Sequence, residues 1–359
     1  MGQDQDSAFR FEGRWQDYAP IAFTNLLLTI VTLGIYRFWA TTRSRRYLWS
    51  RSRFIDETLE WTGTGMELFV GFLLAVVLFG IPFLILQFGV QALALRGHEG
   101  IAGLIGIAAF FFLLFMAGVA RFRALRYRLS RTFWHGIRGG SDSNGIRYGL
   151  SWLWKSSVGV IPFWLLVPWS MVSLWNERWR QMSFGSQSFA SQARARPIFP
   201  RFLLFYLMPF LVVIVAGILM ATFGIAMVGF AAGGGLPLPF QILTIIAVLV
   251  GVYLLLGLIA LAYYAAFLRE AISNLTLGDI RFRFEASTSE WIGLLIVDIL
   301  LVVCTLGIGA IFLSYRHWKF FITHLEATGE VSLAALGQST TREPGQGEGL
   351  LDAFDLGAF

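Results

Sequence analysis

The chain has 359 residues, 56% of them hydrophobic and only 14% charged, with a mean hydropathy of +0.66. A soluble domain carries about 25% charged residues. A single soluble domain, a nucleic-acid binder and a disordered regulator therefore fit poorly, and a polytopic membrane protein is the class that remains. The net charge of +6 rests on 26 Arg and 2 Lys, whose clusters abut apolar stretches. That is the positive-inside pattern of cytoplasmic loops, with no nucleic-acid fold motif beside it.

In chain order, residues 1–18 are polar and mixed in charge, so a cleavable signal peptide is not expected there. Spanning a bilayer takes about 20 apolar residues as helix. Residues 68–95 and 101–120 meet this without a charge and predict one helical hairpin, its loop holding Arg96, His98 and Glu99. Residues 202–268 carry no charged side chain and predict a second hairpin, about 202–231 and 240–268, broken by the Gly and Pro residues of 233–239. Three further stretches are apolar but interrupted. Residues 18–36 hold Asn25 and Thr32-Leu33-Gly34-Ile35; residues 148–176 hold Lys155, Pro162 and Pro168; residues 291–315 hold Asp298, Thr305-Leu306-Gly307-Ile308 and Gly309. The single cysteine, Cys304, excludes an intramolecular disulfide and a multi-cysteine zinc site. The tail over 337–359 is polar and Gly-rich and is expected to be disordered, with Leu350–Phe354 a frayed end or a short docking element.

Arginine placement bears on topology. Segments 41–66, 121–147, 177–201 and 269–290 are all Arg-bearing, 121–147 with seven. Were every apolar stretch to cross once, one strongly basic loop would lie outside, against the usual bias. If the three broken stretches re-enter and only the charge-free ones cross, every Arg cluster is cytoplasmic. Re-entrant backbone at membrane depth must be buried in protein or line water.

The broken stretches read as copies of one unit. Phe9-Arg10-Phe11-Glu12 recurs as Phe282-Arg283-Phe284-Glu285, and at the same offset of 273 Thr32–Ile35 recurs as Thr305–Ile308 and Arg43 falls on Arg316. For the middle copy, an offset of 130 places Tyr18 on Tyr148, Trp39 on Trp169 and Phe54 on Phe184. An offset of 125 places Gly34 on Gly159 and Phe38-Trp39 on Phe163-Trp164. The first is preferred because it preserves matches on both flanks. Gly34, Pro162 and Gly307 are then the turns of the three units. The expected layout is a unit over 9–66, a hairpin over 67–120, a unit over 121–200, a hairpin over 201–268 and a unit over 278–336, all in one membrane domain over 1–336. The expected fold class is an all-α polytopic membrane protein.

Phe9-x-Phe11-x-Gly13, the run from Asn25 to Trp39, Arg45-Arg46-Tyr47, Thr62-Gly63, Arg131-x-x-Trp134-x-Gly136-Ile137-Arg138 and Pro168-Trp169 together resemble the YjgN-like family of bacterial inner-membrane proteins, a domain of unknown function. The resemblance runs from about Phe9 to about residue 336. It implies a multi-pass location in the bacterial inner membrane and no activity, so no catalytic residue is carried over. The middle copy departs from the family, with Pro162-Phe163-Trp164 where Thr-Leu-Gly would stand.

Ionisable residues at membrane depth are costly and are functional candidates. Under the offsets of 130 and 273, Asn25, Lys155 and Asp298 occupy one equivalent position. If the units converge, a cation, an anion and an amide meet in a polar centre for ion or substrate passage; a structural salt bridge, or a Lys155 reaching to headgroups, is the plainer alternative. Gln87, Gln91 and Gln241 are weaker candidates that fit interhelical hydrogen bonding, and Glu67 sits at an interface. Arg43, Arg45, Arg46, Arg126, Arg128 and Arg178, with Tyr and Trp interleaved, form a headgroup belt that attracts anionic lipid. No zinc spacing, nucleophile elbow or phosphate loop is present, so neither an enzyme nor a cofactor is expected. The leading expectation is a transporter or channel-like protein. The alternative is a non-transporting scaffold that binds anionic lipid or a protein partner.

Overall fold

This computed structural model describes residues 7–231, 238–329 and 336–343. Strand β1 (Phe9–Phe11) leads into helices α1 (Trp15–Val31) and α2 (Arg37–Ser50), and the chain returns through β2 (Ser52–Phe54), β3 (Glu57–Thr58) and β4 (Glu60–Trp61). Helix α3 (Gly65–Ala75), a π turn over Val76–Gly80 and α4 (Ile81–Leu95) run on as one helical path, answered by α5 (Glu99–Ser130). Strands β5 (Thr132–Trp134) and β6 (Ile137–Gly140) precede a second short pair, α6 (Ile146–Val160) and α7 (Val167–Trp179). Then come β7 (Ser183–Phe184), β8 (Gln187–Ser191) and a second long pair, α8 (Phe199–Ala231) and α9 (Leu238–Ser273). Strands β9 (Leu275–Leu277) and β10 (Ile280–Phe284) lead to the third short pair, α10 (Thr288–Cys304) and α11 (Leu313–Thr323), followed by β11 (Leu325–Thr328).

Among the described residues two helical segments, Glu99–Ser130 and Val250–Ser273, are long and apolar enough to cross a bilayer. Their surroundings are apolar too. No described residue of α4 is buried, and Phe88, Leu104, Val213 and Tyr253 are each more than two-thirds exposed. Large contiguous apolar surface of this kind marks an interaction with another apolar phase. The expected break at 233–239 lies outside the described residues except for Leu238 and Pro239, which begin α9. Helices α3 and α10 start with capping boxes, Thr64 with Glu67 and Ser287 with Glu290, which satisfy the free amides of their first turns.

The all-α expectation is corrected by the sheet. Eight antiparallel strands run in the order β11-β10-β9-β8-β7-β6-β5-β4, and β1-β2-β3 form a second sheet. Strands β3 and β4 are separated by Leu59 alone, and β1 lies beside β11, so the two sheets curve into a partial barrel. The physical reason lies in the helix ends. Every helical pair begins and ends at one level, so the ten-odd segments entering and leaving it lie side by side and pair their backbone groups. Each strand is two to five residues long, inside Arg-rich stretches that read as loops. The barrel encloses an aromatic core: Phe9 stacks on Phe54 at 4.5 Å, lies 6.4 Å from Phe282, and Phe282 lies 6.4 Å from Phe189.

The strands that flank the short pairs share one register. Phe9 pairs with Phe54, Gly139 with Phe184, and Phe282 with Ala327. These pairs are related by the offsets 130 and 273 on both strands. The turns inside the pairs follow the same offsets. Leu33, Phe163 and Leu306 all have φ of +51°, and each precedes a second left-handed residue, Gly34, Trp164 and Gly307. An offset of 125 would put Leu33-Gly34 on Val158-Gly159, inside α6.

Expected disorder of the tail is corrected for residues 337–343. Ser186 donates its amide to the Gly337 carbonyl at 3.0 Å, Gln338 donates to the Gly136 carbonyl at 2.8 Å, and Arg138 donates to the Thr341 carbonyl at 2.5 Å. Ser339 and Thr341 are buried against the sheet. A polar segment gains order here because its partners are the open backbone and buried guanidinium of β6. Residues 344–359, with Leu350–Phe354, lie outside the described residues.

Candidate functional site

Asn25, Lys155 and Asp298 are not brought together. Each sits on the first helix of its own short pair and is closed by the second. Asn25, buried, donates to the Ala40 carbonyl at 3.2 Å and to Ser44 at 3.3 Å, and Tyr18 donates to the same Ser44. Lys155 pairs with Glu177 at 2.6 Å. Asp298, also buried, accepts from Arg316 at 2.5 Å and meets His317 at 2.6 Å. Ser44 and His317 are themselves 273 residues apart, so the first and third pairs use equivalent positions. The expected polar centre is thereby corrected. The units are arranged around the partial barrel formed by the two sheets, and equivalent residues of units so arranged share an environment without sharing a contact. Glu177, Arg316 and His317 were missed as partners; their signal was a spacing of 18–22 residues, one helix down and back.

Gly34 and Gly307 occupy left-handed turn positions, and Pro162 stands just before the turn at Phe163-Trp164. In the outer pairs the turn is closed by a Thr: Thr32 Oγ1 accepts the Tyr36 amide and Thr305 Oγ1 accepts the Gly309 amide. Pro162 has neither a hydroxyl nor an amide, and the Trp164 amide instead reaches the Val160 carbonyl at 3.1 Å. The side chain of Gln241 lies outside the described residues. Glu67 joins α3 to α5, accepting from Arg131 at 2.7 Å and Tyr127 at 2.9 Å.

The Arg belt divides in two. Arg43 and Arg46 are exposed, Arg43 donating to Tyr36 at 3.2 Å. Arg45 is buried and stacks on Trp61 at 5.0 Å, and Arg126 is buried and donates to the Ser143 carbonyl at 2.8 Å. Arg128 is half-buried. Arg178 is 7% exposed and lies 5.5 Å from the ring centre of Trp175.

Arg178 lines a cavity of about 250 Å³ between α5, α6, α7 and α9, shared with Arg121, Tyr148, Trp152, Ser156, Ser170 and Trp175. Arg121 lies 4.2 Å above the Trp152 ring. Close crossing of α5 and α6 forms this corner: a Cβ on Gly118 would stand 2.5 Å from the Trp152 Cβ, and one on Gly149 2.5 Å from Val119. Only glycine allows that approach. Residues Val160, Val167, Met171 and Phe267 give the cavity an apolar wall.

At the far side of the sheet His135 bridges the β2–β3 turn, 3.0 Å from Asp56 and 2.8 Å from Glu57. The hydrogen bond to Asp56 raises the His135 pKa and lowers that of Asp56. The hydroxyl and backbone of Ser287 hold the Glu290 carboxyl down to about 2. Among the described residues no group of three or more His, Cys, Asp or Glu is placed to hold a metal ion.

Long apolar helices with exposed apolar flanks, rooted in an Arg-rich sheet, define a membrane protein. The family model described as "Bacterial protein of unknown function (DUF898)" matches residues 6–353, and the chain belongs to that family. The inner membrane protein YjgN of Salmonella typhimurium is 27% identical over 130 residues, 36% of this chain and 30% of the relative. Two Escherichia coli proteins of the same name are 30% identical over 131 residues, again 36% and 30%, and 38% identical over 69 residues, 19% and 17%. The chain thus matches less than a third of the length of these curated relatives. No solved structure matches it.

Proposed function

We propose that the protein is a multi-pass scaffold of the bacterial inner membrane, without catalytic activity, that holds anionic lipid at its cytoplasmic face. Its two long helical pairs cross the bilayer, and its three short pairs are repeats of one unit that dip in and return. The observation that carries this reading is that all five helical pairs leave from and return to strands of the one partial barrel, the first pair to β1 and β2 and the other four to the eight-stranded sheet. Helices α2, α7 and α11 have 14, 13 and 11 residues. At 1.5 Å per residue they reach about 16–21 Å, short of the roughly 30 Å hydrocarbon core. Helix α5, with 32 residues, reaches about 48 Å and carries its Arg-rich end beyond it. The common strand register and turn backbone support the repeat, and the relatives' printed name supports the inner membrane. The Arg side chains gathered at the sheet suit an anionic leaflet, at about 1 kcal/mol per basic residue near the surface. A transport role drew on a shared polar centre, and the closure of Asn25, Lys155 and Asp298 inside separate pairs leaves it without residues.

Cysteine labelling tests the topology. In a Cys304→Ala background, single cysteines replace Ser50, Ser188 and Arg281 at the sheet and His98 at the first hairpin tip, all exposed. Only the cysteine at 98 should react with an impermeant thiol reagent in intact cells, and all four after opening. Outside labelling at 188 or 281 overturns the reading. Lipid that co-purifies with the protein should be enriched in anionic species over the bulk membrane; equal proportions overturn the lipid role.

A further inference from the structure

We propose that the Arg121–Arg178 cavity is a binding site for one phosphate-bearing anion, the headgroup of an anionic phospholipid. The proposal rests on the membrane reading above and adds a defined site to it. Arg178 is the key observation. A buried guanidinium is normally paired, because an uncompensated charge at low dielectric is costly. Other arginines here obey this: buried Arg126 reaches the Ser143 carbonyl, half-buried Arg131 the Glu67 carboxylate and buried Arg138 the Thr341 carbonyl. The Nε of Arg178 has no partner among the described residues; Arg131 and Arg138 also leave one nitrogen bare, but each reaches an oxygen through another. The titratable groups that act on it are Tyr148, Arg121, Arg128 and Tyr264, none of them a carboxylate. Its sequence neighbour Glu177 is engaged by Lys155.

The indole Nε1 atoms of Trp152 and Trp175, on the wall of the same cavity, are also buried without a partner. Two guanidinium groups, two indole donors, the Tyr148 hydroxyl and the hydroxyls of Ser156 and Ser170 therefore line one space. All can donate, and none is an obligate acceptor. Such a set fits an oxyanion, and the planar guanidinium matches phosphate oxygens two at a time. Depth points to a lipid as the source. Arg121 directly follows the charge-free run 101–120, which places the cavity at the inner edge of the hydrocarbon. Its apolar side, with Val160, Val167, Met171 and Phe267, suits the glycerol and first methylenes of an acyl chain. The cation is thus offset by a ligand in place of a protein carboxylate.

Thermal melting of the full-length protein in a nonionic detergent tests this, with added phosphatidylglycerol, phosphatidylethanolamine or inorganic phosphate. A ligand of the folded state raises Tm by mass action. Phosphatidylglycerol should raise Tm saturably at one lipid per chain, and phosphatidylethanolamine should not. A saturable rise with inorganic phosphate alone, and none further with lipid, would overturn the headgroup as the source and leave a free oxyanion. Arg178→Gln and Arg121→Gln should each weaken the lipid response at least tenfold in concentration, while Arg147→Gln, an exposed arginine, leaves it unchanged. Trp152→Phe, which removes one donor and keeps a ring, should weaken it several-fold. Without lipid, Arg178→Gln should melt no lower than the unaltered protein, since it removes an unpaired charge. An unchanged response in both arginine variants, or an equal loss in Arg147→Gln, overturns the site. If co-purified lipid stays enriched in anionic species in Arg178→Gln while the saturable Tm rise persists too, the belt stands and the site falls. If the unaltered protein shows neither enrichment nor response, both readings fall.

Discussion

Gly34 and Gly307, 273 residues apart, carry the same left-handed backbone, with φ of +91° and +92°. Each amide closes on the carbonyl five residues before it, Thr29 and Val302, at 2.7 Å in both cases. Nothing lies within 4 Å of where a Cβ would stand at either site. A substitution therefore tests backbone alone. Gly34→Ala and Gly307→Ala should each destabilise by about 1 kcal/mol, the cost of a Cβ in this region. Trp164 occupies the matching place in the middle pair with φ of +63°. Trp164→Gly should cost less than either alanine, or stabilise, because it relieves that strain. Thermal melting of the three variants checks the opposite signs; a loss at Trp164→Gly as large as at the glycines would show that the middle turn is held by its side chain.

The long helices were legible because each contains a charge-free apolar run, a signal that needs no partner. The turn residues were legible as Thr-Leu-Gly in the outer pairs and obscured by Pro162-Phe163-Trp164 in the middle one. The strands were legible in part: Ile280-Arg281-Phe282-Arg283-Phe284 alternates with period two, as a half-buried strand should. Pieces such as Glu60–Trp61 and Ser183–Phe184 are too short for any period to show, and only their assembly at one level makes a sheet. The site misled for another reason. Sequence equivalence of Asn25, Lys155 and Asp298 reports a shared local position, and each position faces the second helix of its own pair. The Arg178 cavity needs four helices to close, a fact that no single stretch carries.

Lys155 and Glu177, at 2.6 Å with side chains 15% and 25% exposed, form a local pair across α6 and α7. A double-mutant cycle with Lys155→Met and Glu177→Gln should give a coupling of at least about 1 kcal/mol, since contacting charged residues couple by 0.5–3 kcal/mol. The cycle of Lys155→Met with Asp298→Asn should give a coupling within about 0.5 kcal/mol of zero, as for residues without a shared partner. Exchange of Lys155 and Asp298 should not restore stability. A large Lys155–Asp298 coupling would bring back the polar centre.

His135 supplies a pH dependence whose sign follows from its partners. Its pKa is raised above 6.5 by the hydrogen bond to Asp56, so its stabilising effect is full below 6.5 and is lost as pH rises through the raised value. The Asp56 pKa is lowered below 3.8, so its effect is present above 3.8 and is lost as pH falls through the lowered value. Between about 4 and 6.5 both contribute. Tm of the unaltered protein should fall from pH 6 to pH 8.5, and His135→Gln should flatten that part of the profile. An identical slope in His135→Gln would place the titrating group elsewhere.

The docked segment 336–343 should carry stability for β6 and β7. Arg138, 8% exposed, has the Thr341 carbonyl as an acceptor, and Gln338 accepts the Arg138 amide at 3.3 Å while donating to Gly136. Ending the chain after Leu336 removes these groups together and leaves a buried guanidinium without its acceptor. The loss of a hydrogen bond to a charged group costs about 1.5–3 kcal/mol, so truncation should destabilise by at least that much. Amide exchange should localise the effect: Ser186 donates its amide to Gly337 and should exchange faster in the truncated chain, while the Ala190 amide, in β8 and paired with β9, keeps its protection. Arg138→Met in the truncated chain should recover part of the loss, because it removes the group that the segment satisfies. Equal exchange at Ser186 with and without the segment would mean that the sheet holds this edge unaided.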